Sequence, residues 1–177
     1  MFTEELNRIK KQGKLVSIYT NRNDTCKFIA GYVIGVNKQD FILALITPDG
    51  EYDGFLLKEV DSIYKIVEDE LYLGRLLKLV SIKQTKVESI FKSNDLKNEL
   101  LEFAQKHHRI VSIELINSGY DDCIGFVNLI NETMCKVQVI NEFGIPDGIS
   151  TIMKSDITQI SYDDTDNRPR KLLYESK

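Results

Sequence analysis

The chain has 177 residues, 42% of them hydrophobic and 28% charged, with only 3 prolines, a balance that excludes a largely disordered polymer. Its net charge of −4 argues against tight non-specific binding to nucleic acid, where Lys and Arg neutralise phosphate. No apolar run approaches the roughly 20 residues that cross a bilayer, and the charged start Met1-Phe2-Thr3-Glu4-Glu5-Leu6 lacks the apolar centre of a signal peptide, so a cytoplasmic chain is expected.

The first predicted element is a helix over residues 3–12, with Thr3 as N-cap, Glu4 and Glu5 at the positive end of the dipole, and Gly13 closing it. Strand signals follow: Val16 and Ile18 alternate with Leu15, Ser17 and Tyr19, a second strand covers 28–36 and a third 41–47, with a polar turn at Asn37-Lys38-Gln39-Asp40. Asp49-Gly50 marks the next turn because glycine accepts positive φ. A fourth strand over 52–58 and a short fifth over 62–67 complete the set. Glu68-Asp69-Glu70 then opens a helix carrying Leu73, Leu76, Leu77 and Val80.

A second round begins after residues 81–94, which read as a linker. Asn94 or Asp95 caps a helix with Leu96, Leu100, Phe103 and Ala104 on one face, ending at His107-His108-Arg109. Strands are predicted where Val111, Ile113 and Leu115 alternate, and over 124–130 and 134–140. The acidic tail before Lys171-Leu172-Leu173-Tyr174 contains Pro169 and is expected to hold less helix.

The two rounds are one template. Gly31-Tyr32-Val33 matches Gly125-Phe126-Val127, Gly50 to Gly54 matches Gly144 to Gly148, and Ile63 and Ile66 match Ile157 and Ile160, always 94 residues apart. A repeat of this kind fixes architecture before any single residue is interpreted. The expectation is a mainly β (α+β) chain of two tandem small five-stranded barrels, each preceded by a helix: residues 1–80, the linker 81–94, and residues 95–177.

Comparing the copies separates faces. Cys135, Val137 and Val139 alternate with Lys136 and Gln138, so they face the core, and with them Phe41, Leu43 and Leu45 of the first copy. The alternates Ile42, Ala44 and Ile46 are apolar too. Something covers such a face: the segment 71–80, the other barrel or a second chain. Ile42, Ala44 and Ile46 are therefore a candidate protein interface.

The run from Gly31 to Leu45, Gly-Tyr-Val-Ile-Gly-Val-Asn-Lys-Gln-Asp-Phe-Ile-Leu-Ala-Leu, resembles the first motif of the Sm-like barrel of the Sm, LSm and Hfq proteins, and Ile63-x-x-Ile66 resembles the end of the second. The segment from Gly125 to Val139 and Ile157-x-x-Ile160 repeat the likeness. The motifs would also suit other SH3-like barrels, and the layout is similar to proteins of low-GC Gram-positive bacteria. RNA-binding members carry an Asp in the turn, an Asn soon after it, and Arg-Gly or Lys-Gly before the fifth strand. Here Asn37 and Asn131 stand in the turn and apolar Phe41 or Ile42 follows. Lys58-Glu59-Val60-Asp61 and Met153-Lys154-Ser155-Asp156 lack the glycine. The resemblance therefore implies the fold but not the ring-type RNA pocket. A single-stranded RNA site through Asn37, Tyr52 and Lys58 is the alternative expectation, supported by Tyr19, Tyr32, Tyr52 and Tyr64 near Lys38, Lys58 and Lys65.

No catalytic, cofactor or metal constellation stands out. Asp53 and Asp147, in Gly-x-x-Asp-Gly, each offer one carboxylate where calcium takes 6 to 8 oxygens, and read as turn anchors. His107-His108 are adjacent on a helix and do not face one way. Cys26, Cys123 and Cys135, odd in number and without a close pair, read as reduced thiols, Cys135 on the core face. Asp121-Asp122 and Asp163-Asp164 read as solvated turns. The expectation is a non-enzymatic module that binds protein or itself.

Overall fold

The computed structural model describes residues 2–87 and 91–176. The chain is mainly β, with ten strands of open antiparallel sheet and four helices among the described residues. The first round comprises α1 (Phe2–Gln12), β1 (Leu15–Tyr19), β2 (Ile29–Val36), β3 (Asp40–Ile46), β4 (Tyr52–Glu59), β5 (Lys65–Val67) and α2 (Leu71–Lys83). The second comprises α3 (Leu96–Lys106), β6 (Ile110–Leu115), β7 (Cys123–Ile130), β8 (Met134–Ile140), β9 (Pro146–Met153), β10 (Ile157–Tyr162) and α4 (Arg168–Glu175).

The repeat extends well beyond the motifs that reveal it. The bounds of α1 and α3, β2 and β7, β3 and β8, and β4 and β9 each differ by the same 94 residues. The bulge repeats as well: pairing with the third strand slips between Val33 and Gly35, and again between Val127 and Leu129. Such a slip sharpens the local twist and bends the strand. One step breaks the offset. Leu15 pairs with Tyr32 where Ile110 pairs with Phe126, so the first strands are displaced by one further residue. The left-handed residue that ends the helix moves with them, from Gly13 (φ 61°) to His108 (φ 48°).

Contacts divide the chain into two units: Met1–Asp53 with Lys58–Leu96, and Gly54–Leu57 with Lys97–Lys177. In the first, β5-β1-β2-β3 run side by side and lead to the ends of β4. In the second, the Gly54–Leu57 segment of β4 is followed by β10-β6-β7-β8-β9. Neither strand order returns on itself. The expected closed barrels are thus replaced by open sheet, because β5 is only three residues long and pairs with β1, and β9 is an outer strand.

In the first unit, Leu6 and Ile9 of α1 join Val16, Val33, Phe41 and Leu43 in one core. Their i, i+3 spacing places both on the helix face that meets the sheet. The helix begins at Phe2, so Thr3 lies inside its first turn rather than capping it. On the other side of the sheet, Leu73 and Leu76 of α2 pack with Leu15, Ala30 and Ile46. The second unit repeats this. Leu100, Ala104, Val111, Ile113 and Val137 are buried, and Tyr174 of α4 packs against Ile110, Phe126 and Ile140. Pro169 does not block α4, because it sits in the first turn, where its missing N–H has no helical partner to lose. Of the expected linker, residues 81–83 are the last turn of α2, and 88–90 lie outside the described residues.

Candidate functional site

The face carrying Ile42, Ala44 and Ile46 is not open to a partner. Ile42 and Ala44 are fully buried and Ile46 nearly so, the last under Leu73 and Leu76 of α2. The chain's own helix is one of the three covers that the apolar pattern allows.

The residues of the candidate RNA site are not assembled into one site. Asn37 holds its turn: its Oδ1 accepts the N–H groups of Gln39 and Asp40 at 2.8 and 2.6 Å, and its Nδ2 donates to the Asn94 carbonyl at 2.9 Å. Asn131 accepts in the same way from Thr133 and Met134. Tyr52 and Lys58 stand near opposite ends of β4, about 20 Å apart at the rise of an extended strand. The structure gathers other aromatics instead. Tyr19 lies 5.5 Å from Phe28 and 6.1 Å from Tyr64, and Phe28 lies 5.2 Å from Tyr72. The Lys65 ammonium sits 4.0 Å over the Tyr19 ring and the Arg22 guanidinium 5.6 Å over Tyr64. Phe28 and Tyr72 did not figure among the expected aromatic residues, because no local pattern brings the residue before β2 and the start of α2 to one spot.

The polar groups at the turns are structural. Gly50 N–H donates to the Thr47 carbonyl, and Thr47 Oγ1 accepts from Glu51. Asn141 plays that part in the second copy, accepting from Phe143 and Ile145. The turn anchors are thus Thr47 and Asn141, whereas Asp53 and Asp147 lie within β4 and β9. His108 stacks on Phe126 with ring centroids 4.2 Å apart and planes 2° from parallel. Asp122 accepts from the Ser118 hydroxyl (2.5 Å) and the Leu115 N–H (2.8 Å), bonds that hold its carboxyl below the usual range. Burial, then the charge of Glu114, pushes its neighbour Asp121 upward. Burial likewise raises the thiol of Cys123 and pushes that of Cys135 up to about 11, whereas Cys26 is exposed. Among the described residues no group of three or more His, Cys, Asp or Glu is placed to hold a metal ion, and no helix is long and apolar enough to cross a membrane.

Exposed apolar side chains occur at several places among the described residues, and one group lies on and beside β9. Ile149 is 62% exposed and Met153 45%, flanked by Phe143 at 65% and Ile145 at 46%. Ile149 and Met153 are four residues apart and share one side of the strand, whereas Ile152 points inward at 5%. The counterpart of Ile149 in the first copy is Phe55, which is 4% exposed and stacks on Tyr162 with centroids 5.4 Å apart. The contrast was present in the sequence as apolar residues on a fourth strand, but such residues read as core unless the strand is known to be outermost. No family model, curated protein or solved structure matches the chain.

Proposed function

We propose that the chain is a non-enzymatic interaction module that self-associates or binds a protein partner through the outer edge of its second unit. The observation that carries this reading is the exposure of Ile149, Met153, Phe143 and Ile145 on and beside an outermost strand. A sheet edge offers unpaired N–H and C=O groups along its length, and exposed apolar side chains beside it add area to bury. In this reading each unit is a small bent sheet of Sm-like or SH3-like kind, supported by the repeated bulge in its second strand and the 3-10 turn before its fifth. The three free cysteines fit a reducing, cytoplasmic setting.

The test is sedimentation of the purified chain over a wide concentration range, together with capture of partners from a native extract. Association or capture that weakens in the double variant Ile149→Lys, Met153→Lys supports the reading. A monomer that captures no protein ends it.

A second reading has its own observation. Phe28, Tyr64 and Tyr72, gathered around the buried Tyr19 and with Arg22 over the Tyr64 ring and Lys65 nearby, form an aromatic and basic cluster of the type on which single-stranded RNA stacks. Filter binding of U-rich and A-rich oligomers at low salt tests it. Retention that falls in Phe28→Ala supports RNA binding, and no retention at tens of micromolar protein removes it.

A further inference from the structure

The loop between β6 and β7 departs from its counterpart between β1 and β2. Residues 20–28 of the first copy carry one large apolar side chain, Phe28, whereas the second-copy loop presents Ile116 and Tyr120, 75% and 76% exposed. Ile116 and Asn117 are both left-handed, at φ 48° and 54°, and a β-branched residue is strained there. The surroundings impose this form. Ile116 N–H donates to the Asp156 carbonyl at 2.8 Å, Asn117 N–H to Thr158 Oγ1 at 3.2 Å and Gly119 N–H to Glu114 Oε1 at 3.0 Å. Two large side chains thus stand on a preorganised tip, which loses little entropy when it binds. The tip is also negative. Asp121 and Asp122 are exposed beside Tyr120, and the carboxylates of Glu114, Asp166 and Asp122 act on Asp121 against the Arg170 guanidinium. A partner for it must supply an apolar recess and positive charge.

The first unit holds such a recess on α2. Leu73 and Leu76 face the core, so Leu71, Arg75 and Lys78 fall on the opposite side of the helix. With Gly74 and Leu79 they line an open cavity of about 550 Å³. Gly74 keeps it open, since an added Cβ would meet nothing within 4 Å among the described residues. Leu71 is 95% exposed. The acidic residues on the rim are engaged elsewhere, Asp69 by the Lys14 ammonium at 2.7 Å and Glu70 by the Ser17 hydroxyl at 2.9 Å. Arg75 and Lys78 are exposed and set the charge of the recess. One repeat later the three outward positions are Thr165, Pro169 and Leu172, so the recess, like the tip, belongs to one copy only.

We infer that the 116–122 loop of one molecule docks in the α2 recess of a second copy of this chain. Ile116 and Tyr120 cover Leu71 and Gly74, and the Asp121 carboxylate meets Arg75 and Lys78. Charge complementarity carries the choice of occupant. The acidic tip repels a second tip and the cationic recess repels a second recess, which leaves tip against recess. The contact joins unlike surfaces, so each molecule of a pair keeps one of the two free. It goes beyond the β9 reading and does not depend on it.

The test is light scattering of the full chain carrying Ile149→Lys and Met153→Lys, which removes the β9 contribution. Mass above the monomer is expected to persist in this background. Tyr120→Ala then truncates the tip and Leu71→Asp charges the recess, both at exposed side chains. Each is expected to raise the dissociation concentration about tenfold or more. An equimolar mixture of the two is expected to regain mass as a pair, one of each, through the one contact left intact. Ile116→Asn is expected to weaken association too, with its thermal midpoint showing that the fold is kept. A monomer in the β9-substituted background overturns the inference, and a wild type that still associates then leaves the β9 reading standing. Association that ignores Tyr120→Ala and Leu71→Asp, or a mixture no heavier than its components, also overturns it. A strictly monomeric wild type overturns both the inference and self-association, leaving capture of another protein as the test of the module.

Discussion

Gly125 lies so close to the Gln138 carbonyl that a side chain has no room: an added Cβ would sit 1.9 Å from the oxygen. Gly31 stands in the same relation to Ala44, at 2.4 Å. Both are where a bent second strand presses on the third. Gly125→Ala must push two paired backbones apart, and overpacking of this kind costs about 1–3 kcal/mol. Urea unfolding is expected to show a midpoint shift of that size for Gly125→Ala and for Gly31→Ala, while Gly74→Ala, with nothing within 4 Å in a helix, changes stability little or raises it.

Ile116 and Asn117 connect β6 to its following loop with φ of 48° and 54°, and Ser118 N–H closes the turn on the Leu115 carbonyl at 3.0 Å. Positive φ at two successive central positions marks a mirror-image turn that favours Asn-Gly. A β-branched residue there is strained, and Ile116 is 75% exposed, so it contributes little burial in return. Ile116→Asn is expected to stabilise the chain by about 1 kcal/mol, a rise of roughly 2–4 °C in the thermal midpoint by calorimetry.

The thiols are graded by burial. Cys26 is exposed, Cys123 is 4% exposed and Cys135 is fully buried, with its thiol pushed up to about 11. Since the thiolate is the reactive form, a disulfide reagent at pH 8 is expected to modify one cysteine rapidly, and the other two only at the rate of opening or unfolding. Cys26→Ser should remove the rapid phase altogether.

Tyr162 sets an alkaline limit. Burial, with the charge of Asp163, pushes its phenol up to about 12 from an ordinary 10. The folded state holds the proton more tightly than the unfolded one. The contribution to stability is therefore fully present below pH 10 and is lost as pH rises towards 12. Tyr162→Phe abolishes this titration, so its unfolding midpoint is expected to fall less steeply than the wild type's between pH 10 and 12, measured by denaturant titration at several pH values.

Much of the architecture is legible in the sequence because it is written twice. Shared glycines at 31 and 125 and at 50 and 144 mark close backbone approaches, and the alternation around Cys135 and Val137 identifies the buried face of Phe41 and Leu43. What could not be read is non-local. Nothing in Gly54-Phe55-Leu56-Leu57 says that this segment belongs with residues forty and more positions later. Ile149 and Met153 look like core because strand alternation does not reveal which strand is outermost. Ile46 looks like part of a possible interface for the same reason, since cover by the distant helix α2 leaves no local trace. Thr3 fails as a cap because helix α1 begins one residue before it.

The division of β4 has a further consequence for how the molecule can be taken apart. A protease or a redesigned gene that breaks the connection near residues 84–94 parts the sequence between repeats, yet it leaves four residues of the second folding unit, Gly54–Leu57, on the first fragment. The fragments are then complementary halves rather than independent domains. Expressed apart, the second should be incomplete, and mixed with the first it should recover its fold, as in a split reporter.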